Sequence, residues 1–350
     1  MAQVAADVIH RGKPATKNAA LCPVCRSSNL REKAAFSAAE AAQTWIVAEG
    51  DRLRHDALRA HIETLWGGKR CVIKECLDCR FGFADPFVGG DERFYDLAFP
   101  RGGYPADRFE FRRTRDVIER EGLTGPLLEV GSGPGHFLRL VSPSLLAPDQ
   151  VTALEYVPSC VEAVRSRGHE AIQGDLRTSL GSERRFGIVC MFQAIEHIDD
   201  PDSIFLKLHQ LVRPGGHLFI SVPNQDRVEW DEAHNSLQDT PPNHVGRWRV
   251  ESFQAIAGRL GFELIEHETN KVSRYDFAKL DLFYSYLRSS QRKGTFANWT
   301  RAQRPKPGGK FIGLAGAAFH VPVRLRYWLG MRSLEGLGDT LWVHLRKPSC

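Results

Sequence analysis

Residues 127–138 read LLEVGSGPGHFL: a short apolar run carrying an acid, three glycines at every second position, then a second apolar run. Glycine allows backbone angles that a side chain forbids and lets a ligand approach the main chain closely. A strand that enters such a turn and leaves it as a helix marks the ligand-binding corner of a parallel α/β sheet. The dinucleotide fingerprint is G-x-G-x-x-G, and here His136 stands where its third glycine would. Glu155 ends the next strand, where a carboxylate can accept both hydroxyls of a ribose. By themselves these residues leave a nicotinamide dinucleotide and an adenosyl group both open.

The alternation continues outward. Apolar runs at 126–131, 151–157, 169–175, 186–193, 215–223 and 262–268 predict strands, and 135–141, 158–168, 200–212 and 250–261 predict helices between them. Strands alternating with helices predict a mostly parallel sheet covered on both faces, a Rossmann-like α/β fold.

LLEVGSGPGHF, ALEY, QGDL, FQAIEHIDDP and LVRPGGHLFISVPN, in that order and spacing, resemble the class I S-adenosylmethionine-dependent methyltransferases over roughly residues 125–270. The resemblance implies a mostly parallel, seven-stranded sheet whose glycine turn holds S-adenosylmethionine rather than a nicotinamide. It implies that Glu129 anchors the turn near the amino-acid end of that cofactor. Gly131, Gly133 and Gly135 would line its methionine and ribose, and Glu155 would take the ribose hydroxyls. Asp175 would face the adenine amino group with the Leu176 backbone beside it, and Gln193 would reach the sulfonium side.

Methyl transfer needs a nucleophile held in line with the sulfur in a dry site, and a base if the nucleophile carries a proton. His197, just after the fourth strand, and His244, in the polar loop 234–254, are the candidate bases, because imidazole titrates near neutral pH. Each could instead order its own loop. Asp239 is placed on the acceptor side, and with His234 and His244 it could hold a divalent ion. Tyr95 and Tyr104, in FYDLAFPRGGY, match a segment that relatives close over the cofactor; aromatic packing between domains is the other reading. The Asn/Asp-Pro-Pro-aromatic motif of nucleobase-amine enzymes and the Pro-Cys nucleophile of cytosine-carbon enzymes are both absent.

Four of the eight cysteines form two Cys-x-x-Cys pairs, Cys22/Cys25 and Cys76/Cys79. A two-residue gap lets both thiolates face one ion, and two pairs complete a tetrahedral sulfur shell suited to structural zinc. LCPVC and CLDCRFG resemble zinc-ribbon knuckles, and with FGFADPF and FYDLAF they resemble the head of many bacterial methyltransferases. Two helices, at 37–50 and 51–66, and a strand at 69–76 are predicted between the knuckles. Cys71 lacks a paired neighbour and ranks below the four.

The net charge is +5, yet residues 282–334 hold ten Lys/Arg and no Asp or Glu. Such a tract is a solvated helical face or a surface for an anionic partner: a phosphorylated substrate, a lipid headgroup or nucleic acid. Two helical stretches flank PKPGG there and could form a lid or a peripheral membrane surface. No run approaches the roughly 18 apolar residues of a membrane span and no signal peptide is evident, so a cytoplasmic protein is expected. The expected organisation is a disordered leader (1–19), a zinc-binding domain (20–90), a connector and lid (91–124), the methyltransferase core (125–270), a helical insertion (271–338) and a final strand and tail (339–350). The expected activity is O-methylation of a small molecule, either a sugar, nucleotide- or lipid-linked, or a secondary metabolite. An RNA methyltransferase and a non-catalytic binding scaffold are the alternatives. The chain lacks the dense aromatic-basic interleaving of a single-strand binder, so nucleic acid is disfavoured.

Overall fold

The computed structural model describes residues 21–46, 48, 50–99, 103–181, 183–234, 236–292, 294–303, 318, 321–330, 334 and 336–349. The expected leader and the PKPGG linker lie outside the described residues. The chain forms two compact units, one of residues 1–225, 238–268 and 340–350, the other of residues 226–237 and 269–339.

Among the described residues the first unit contains two sheets. The larger has seven strands: β4 (Leu127–Val130), β5 (Val151–Glu155), β6 (Glu170–Gln173), β7 (Phe186–Phe192), β8 (Val212–Pro223), β10 (Glu263–Thr269) and β11 (Thr340–Arg346). Their order is β10-β11-β8-β7-β4-β5-β6. β4 through β8 pair in parallel, and β11 is antiparallel to β8. The chain order reverses on either side of β4, which makes the carboxyl ends of β4 and β7 the crevice where such sheets bind ligands.

Every residue of β4, β5 and β7 is buried, as a strand covered on both faces requires. The period of two sorts them. Leu128, Val130, Val189 and Met191 face one way, against Phe205 and Leu208 of helix Pro201–Leu211 and Phe253 of helix Val250–Leu260. Leu127, Ile188, Cys190 and Phe192 face the other, against Phe111 and Val117 of helix Phe109–Arg120 and Phe137 after the glycine turn. Helix Pro201–Leu211 starts where Asp200 accepts from Ser203 N–H at 3.2 Å and proline occupies the first turn. The strand expected from Gly215 begins earlier, at Val212.

The smaller sheet is β1 (Leu30–Ser37), β2 (Arg70–Cys76), β3 (Gly82–Asp85) and β9 (Gly246–Arg247), in that order. The predicted inserted helices are present as Ala38–Trp45 and Arg52–Trp66. The first begins with a capping box, Ser37 with Glu40. β9 joins the cysteine-bearing segment to a loop of the larger sheet. Ser252 Oγ donates to the Cys79 carbonyl at 3.0 Å, and Arg259 Nε donates to the Val24 carbonyl at 3.0 Å. Arg26 and Arg259 both pair with Asp202. Cys22, Val24, Cys76, Cys79, Phe81 and Phe83 belong to the same apolar cluster as Trp248 and Phe253.

The second unit is helical: Gln225–Ala233, Arg274–Gln291, Phe296–Gln303 and Val321–Gly330. Buried Asp281 accepts from Arg324 Nε at 2.7 Å and from Trp328 Nε1 at 2.8 Å, joining two of these helices. Trp230 stacks on His234 with ring centroids 4.0 Å apart. Sequence periodicity gave no signal for the Gln225–Ala233 helix, which is polar on most sides. Among the described residues no helix is long and apolar enough to cross a membrane.

Candidate active site and cysteine centre

The glycine turn sits at the carboxyl end of β4. Gly131, Gly133 and Gly135 have φ of 71°, 52° and 76°, in the left-handed region that side chains disfavour. A Cβ on Gly133 would lie 2.7 Å from Cδ1 of Tyr104, so the Tyr104 ring covers this glycine. Of the two tyrosines expected near the cofactor, Tyr104 is the one set against the turn. Tyr95 is fully buried, and its hydroxyl lies 2.9 Å from Nδ1 of His197.

Glu155 is buried and receives three backbone N–H groups. Its Oε2 accepts from Gly133 at 2.6 Å, and its Oε1 accepts from Tyr156 at 2.8 Å and Val157 at 3.0 Å. Glu129 is nearly as buried, and its Oε2 has no hydrogen-bond partner. Burial, reinforced by the charge of Glu155, pushes the Glu129 carboxyl well above the usual carboxylate range; Arg108 opposes this. Asp175 is held by Arg177 through Nε at 2.9 Å and Nη2 at 2.6 Å, and Leu176 is buried in the core. Gln193 leaves β7 with φ of 50°, its N–H donating to the Ser221 carbonyl at 2.8 Å. A non-glycine residue held in that region marks a place where the surroundings dictate backbone shape, a frequent feature of ligand sites.

Beyond β7 the structure gathers a polar cluster. Glu196, His197 and His244 place ligand-type atoms within 4.8 Å of one another, all buried or half-buried. The His197 and His244 rings meet edge to face, centroids 4.5 Å apart. His197 Nδ1 lies 2.8 Å from the Asn243 carbonyl oxygen, and burial pushes its pKa well below the ordinary value. The ring is anchored, and its burial favours the neutral form. His244 differs. Burial would lower its pKa, but the hydrogen bond and charge of Asp239, with Nδ1 to Oδ1 at 2.7 Å, and the charge of Glu196 outweigh burial and raise it. Burial pushes Glu196 up to about 7, and its Oε2 has no partner. His234, grouped with Asp239 and His244 in the sequence reading, lies instead in the helical unit, its Nδ1 2.7 Å from the Trp230 carbonyl.

Sequence reasoning missed Glu196 and Arg108. Arg108 precedes helix Phe109–Arg120; its charge is felt by both Glu129 and Glu196, and its Nε is buried without a partner. One signal was available for Glu196: it lies in the quoted FQAIEHIDDP segment. Nothing local marked Arg108.

At the cysteine centre, the four Sγ atoms of Cys22, Cys25, Cys76 and Cys79 lie within 4.8 Å of one another. Cys22 and Cys79 are 3.6 Å apart, and Cys25 and Cys76 3.4 Å apart. A tetrahedron around an ion with metal–sulfur bonds of about 2.3 Å has edges of about 3.8 Å, so the sulfurs need part by only a few tenths of an ångström. The two knuckles share a backbone plan: Arg26 and Arg80, each following the second cysteine, have φ of 67° and 60° and donate to the carbonyl of the first at 3.0 and 2.9 Å. Cys71 is buried away from this group, its thiol pushed up to about 12 by desolvation.

Residues 106–267 match the family model described as a methyltransferase domain. That segment is similar to methyltransferase domains, and it holds the glycine turn and six of the seven strands of the larger sheet. Among curated relatives, the ubiquinone biosynthesis O-methyltransferase of Proteus mirabilis is 30% identical over 157 residues, covering 42% of this chain and 61% of the relative. That of Xanthomonas oryzae pv. oryzae is 32% identical over 150 residues, covering 40% of this chain and 60% of the relative. The chain thus spans about three fifths of the length of these relatives. Among solved structures, the N-methyltransferase NodS from Bradyrhizobium japonicum WM9, in complex with S-adenosylhomocysteine, aligns over 72% of this chain and 92% of that chain. Its TM-score is 0.41 at 10% identity.

Proposed function

We propose that the protein transfers a methyl group from S-adenosylmethionine to a hydroxyl of a small-molecule acceptor, with His244 as the general base. The observation that carries this reading is the Asp239–His244 pair, 2.7 Å apart, in the loop that follows β8 at the same end of the sheet as the glycine turn. The residues fit the cofactor. Gly131, Gly133 and Gly135 offer backbone without side chains, and Glu155 can share its oxygens with ribose hydroxyls. An amino-acid zwitterion brings one cation and one anion; Glu129 Oε2 lacks a cation and Arg108 Nε lacks an acceptor. The bound cofactor supplies an electrophilic methyl carbon.

This chain's own residues do the rest. Asp239 accepts from His244 Nδ1–H, which fixes the tautomer and leaves Nε2 as the lone-pair nitrogen. Neutral His244 removes the acceptor proton as the oxygen forms its new bond, and Asp239 and Glu196 stabilise the imidazolium that results. His197, held by Asn243 and Tyr95, packs against the His244 ring and fixes its plane. Tyr104 over Gly133 keeps water from the turn.

The relatives' name favours oxygen as the methylated atom; phenolic and sugar hydroxyls both suit a base of this kind. We assign the four-thiolate centre to structural zinc, since four sulfur ligands leave no open position. Incubation with isotope-labelled S-adenosylmethionine and separate pools of phenolic, glycosidic, nucleotide-sugar and RNA acceptors, read by mass spectrometry, tests the proposal. Label in a hydroxyl of a small molecule, lost in His244→Ala, is expected. Label confined to RNA, or none with cofactor bound, would overturn it.

A further inference from the structure

We propose that Glu121, His217 and His344 form a second metal site, separate from the cysteine centre and from the catalytic cluster, for a borderline divalent transition ion of the zinc kind. The three residues lie far apart in sequence. Glu121 closes helix Phe109–Arg120, His217 lies in the first half of β8, and His344 sits in the middle of β11. The fold brings their ligand-type atoms within 4.8 Å of one another. Because β4 to β8 run parallel and the glycine turn is at their carboxyl ends, His217 stands toward the opposite edge of the sheet.

The arrangement has the parts of a built site. His217 Nδ1 and His344 Nε2 point at each other across 2.8 Å. Two imidazole nitrogens bound to one zinc at about 2.0–2.1 Å lie a little over 3 Å apart in tetrahedral geometry, so the rings need part by only about half an ångström. His344 is buried, and its Nδ1 has no hydrogen-bond partner, although Glu266 Oε1 lies 3.6 Å away. A proton on that Nδ1 faces the Glu266 carboxylate and leaves Nε2 as a lone pair aimed at His217. A metal-bound histidine is commonly arranged so, its far N–H turned to a carboxylate. Ring stacking on Phe219, centroids 4.4 Å apart, holds the His344 ring in place. Glu121 adds the third, anionic ligand from the exposed side, where an ion can enter. Arg120 now lies 2.9 Å from Glu121 and 3.3 Å from Glu266, balancing both carboxylates. An ion would take over that role. Two histidines and one carboxylate suit zinc, nickel or cobalt rather than calcium or magnesium. Such an ion would clamp the helix end to the antiparallel edge of the sheet.

The test uses the full chain with its cysteine centre already carrying one equivalent of zinc. Calorimetric titration with zinc chloride is expected to show one further equivalent. His217→Gln should weaken that equivalent by at least about tenfold and abolish the accompanying rise in Tm. Glu121→Gln, on the exposed member of the set, should weaken it as well and serves if His217→Gln does not fold. Cobalt at the second equivalent should give a visible spectrum without thiolate-to-metal charge transfer. A wild-type chain that binds one equivalent in total overturns the proposal. So does a further equivalent held equally well by the variants, or one whose cobalt spectrum shows thiolate ligation.

Discussion

Phe83 of β3 pairs with Gly246 of β9, two residues after His244. The strand that leaves the second cysteine knuckle thus holds the loop that carries the proposed base. Ala84 N–H also donates to the Val245 carbonyl at 2.9 Å, and Val245 N–H donates to the Glu196 carbonyl at 2.9 Å. One ladder of backbone bonds runs from the thiolates to the histidine cluster.

Through that ladder the proposed zinc is expected to affect the proposed catalytic loop at a distance. Cys25→Ser, or stripping the metal with a strong chelator, is expected to lower Tm and to cut kcat by about tenfold or more while leaving cofactor affinity nearly intact. A structural zinc site contributes folding free energy directly, and a small misplacement of a catalytic group costs orders of magnitude in rate. Metal analysis, thermal melts and cofactor titration on one preparation check this. Full activity in metal-free protein would separate the two sites.

Asp239→Asn is expected to lower the pKa of His244 by removing the hydrogen bond and charge that now raise it, leaving burial and Arg247 to depress it. A base must be deprotonated to act. The acid limb of the kcat profile therefore moves to lower pH in the variant, and kcat falls because the imidazolium loses its partner. His244→Ala should lose about 10²–10⁴-fold in kcat with little change in cofactor binding. An unshifted limb in Asp239→Asn would remove His244 from the proton transfer.

Glu196 predicts a pH-dependent stability. Its folded pKa of about 7 lies above the ordinary value near 4.5, so the folded state binds the proton more tightly than the unfolded chain. Stability then falls as pH climbs from about 4.5 through about 7, by about 3 kcal/mol in total. Glu196→Gln removes that loss. Its Tm relative to wild type should rise between pH 5 and pH 8, and parallel melting curves across that range would contradict the assignment.

Gly133 and Tyr104 predict a double-mutant result. Gly133→Ala meets two obstacles, a φ of 52° and a Cβ 2.7 Å from the tyrosine ring. It should weaken S-adenosylmethionine binding at least tenfold. Adding Tyr104→Ala relieves the ring contact but not the backbone strain, so affinity should recover only in part. Glu155→Gln should also weaken binding at least tenfold, since an amide nitrogen cannot accept from Gly133 N–H or a ribose hydroxyl.

Much of the fold was legible locally. The apolar runs of β4, β5 and β7 and the glycine spacing at 131, 133 and 135 are properties of short segments, so periodicity alone marked them. The Cys-x-x-Cys pairs announced a four-thiolate centre because the two-residue gap fixes how each pair can point. The Tyr104 ring lies against Gly133 of the turn. Tyr95, nine residues earlier, faces inward to His197, because its helix buries that side against the core.

What the sequence by itself determined was the chemistry each short stretch could offer: a backbone cradle, a carboxylate at a strand end, a sulfur shell. Tertiary structure alone decided which offers meet. Asp239 and Glu196 flank His244, Arg108 acts on two distant carboxylates, and β9 joins the cysteine head to the loop that carries His244. The physical reason is that these contacts depend on strand register and helix packing between segments tens to hundreds of residues apart, and no local pattern encodes the distance between side chains that only the assembled core brings together.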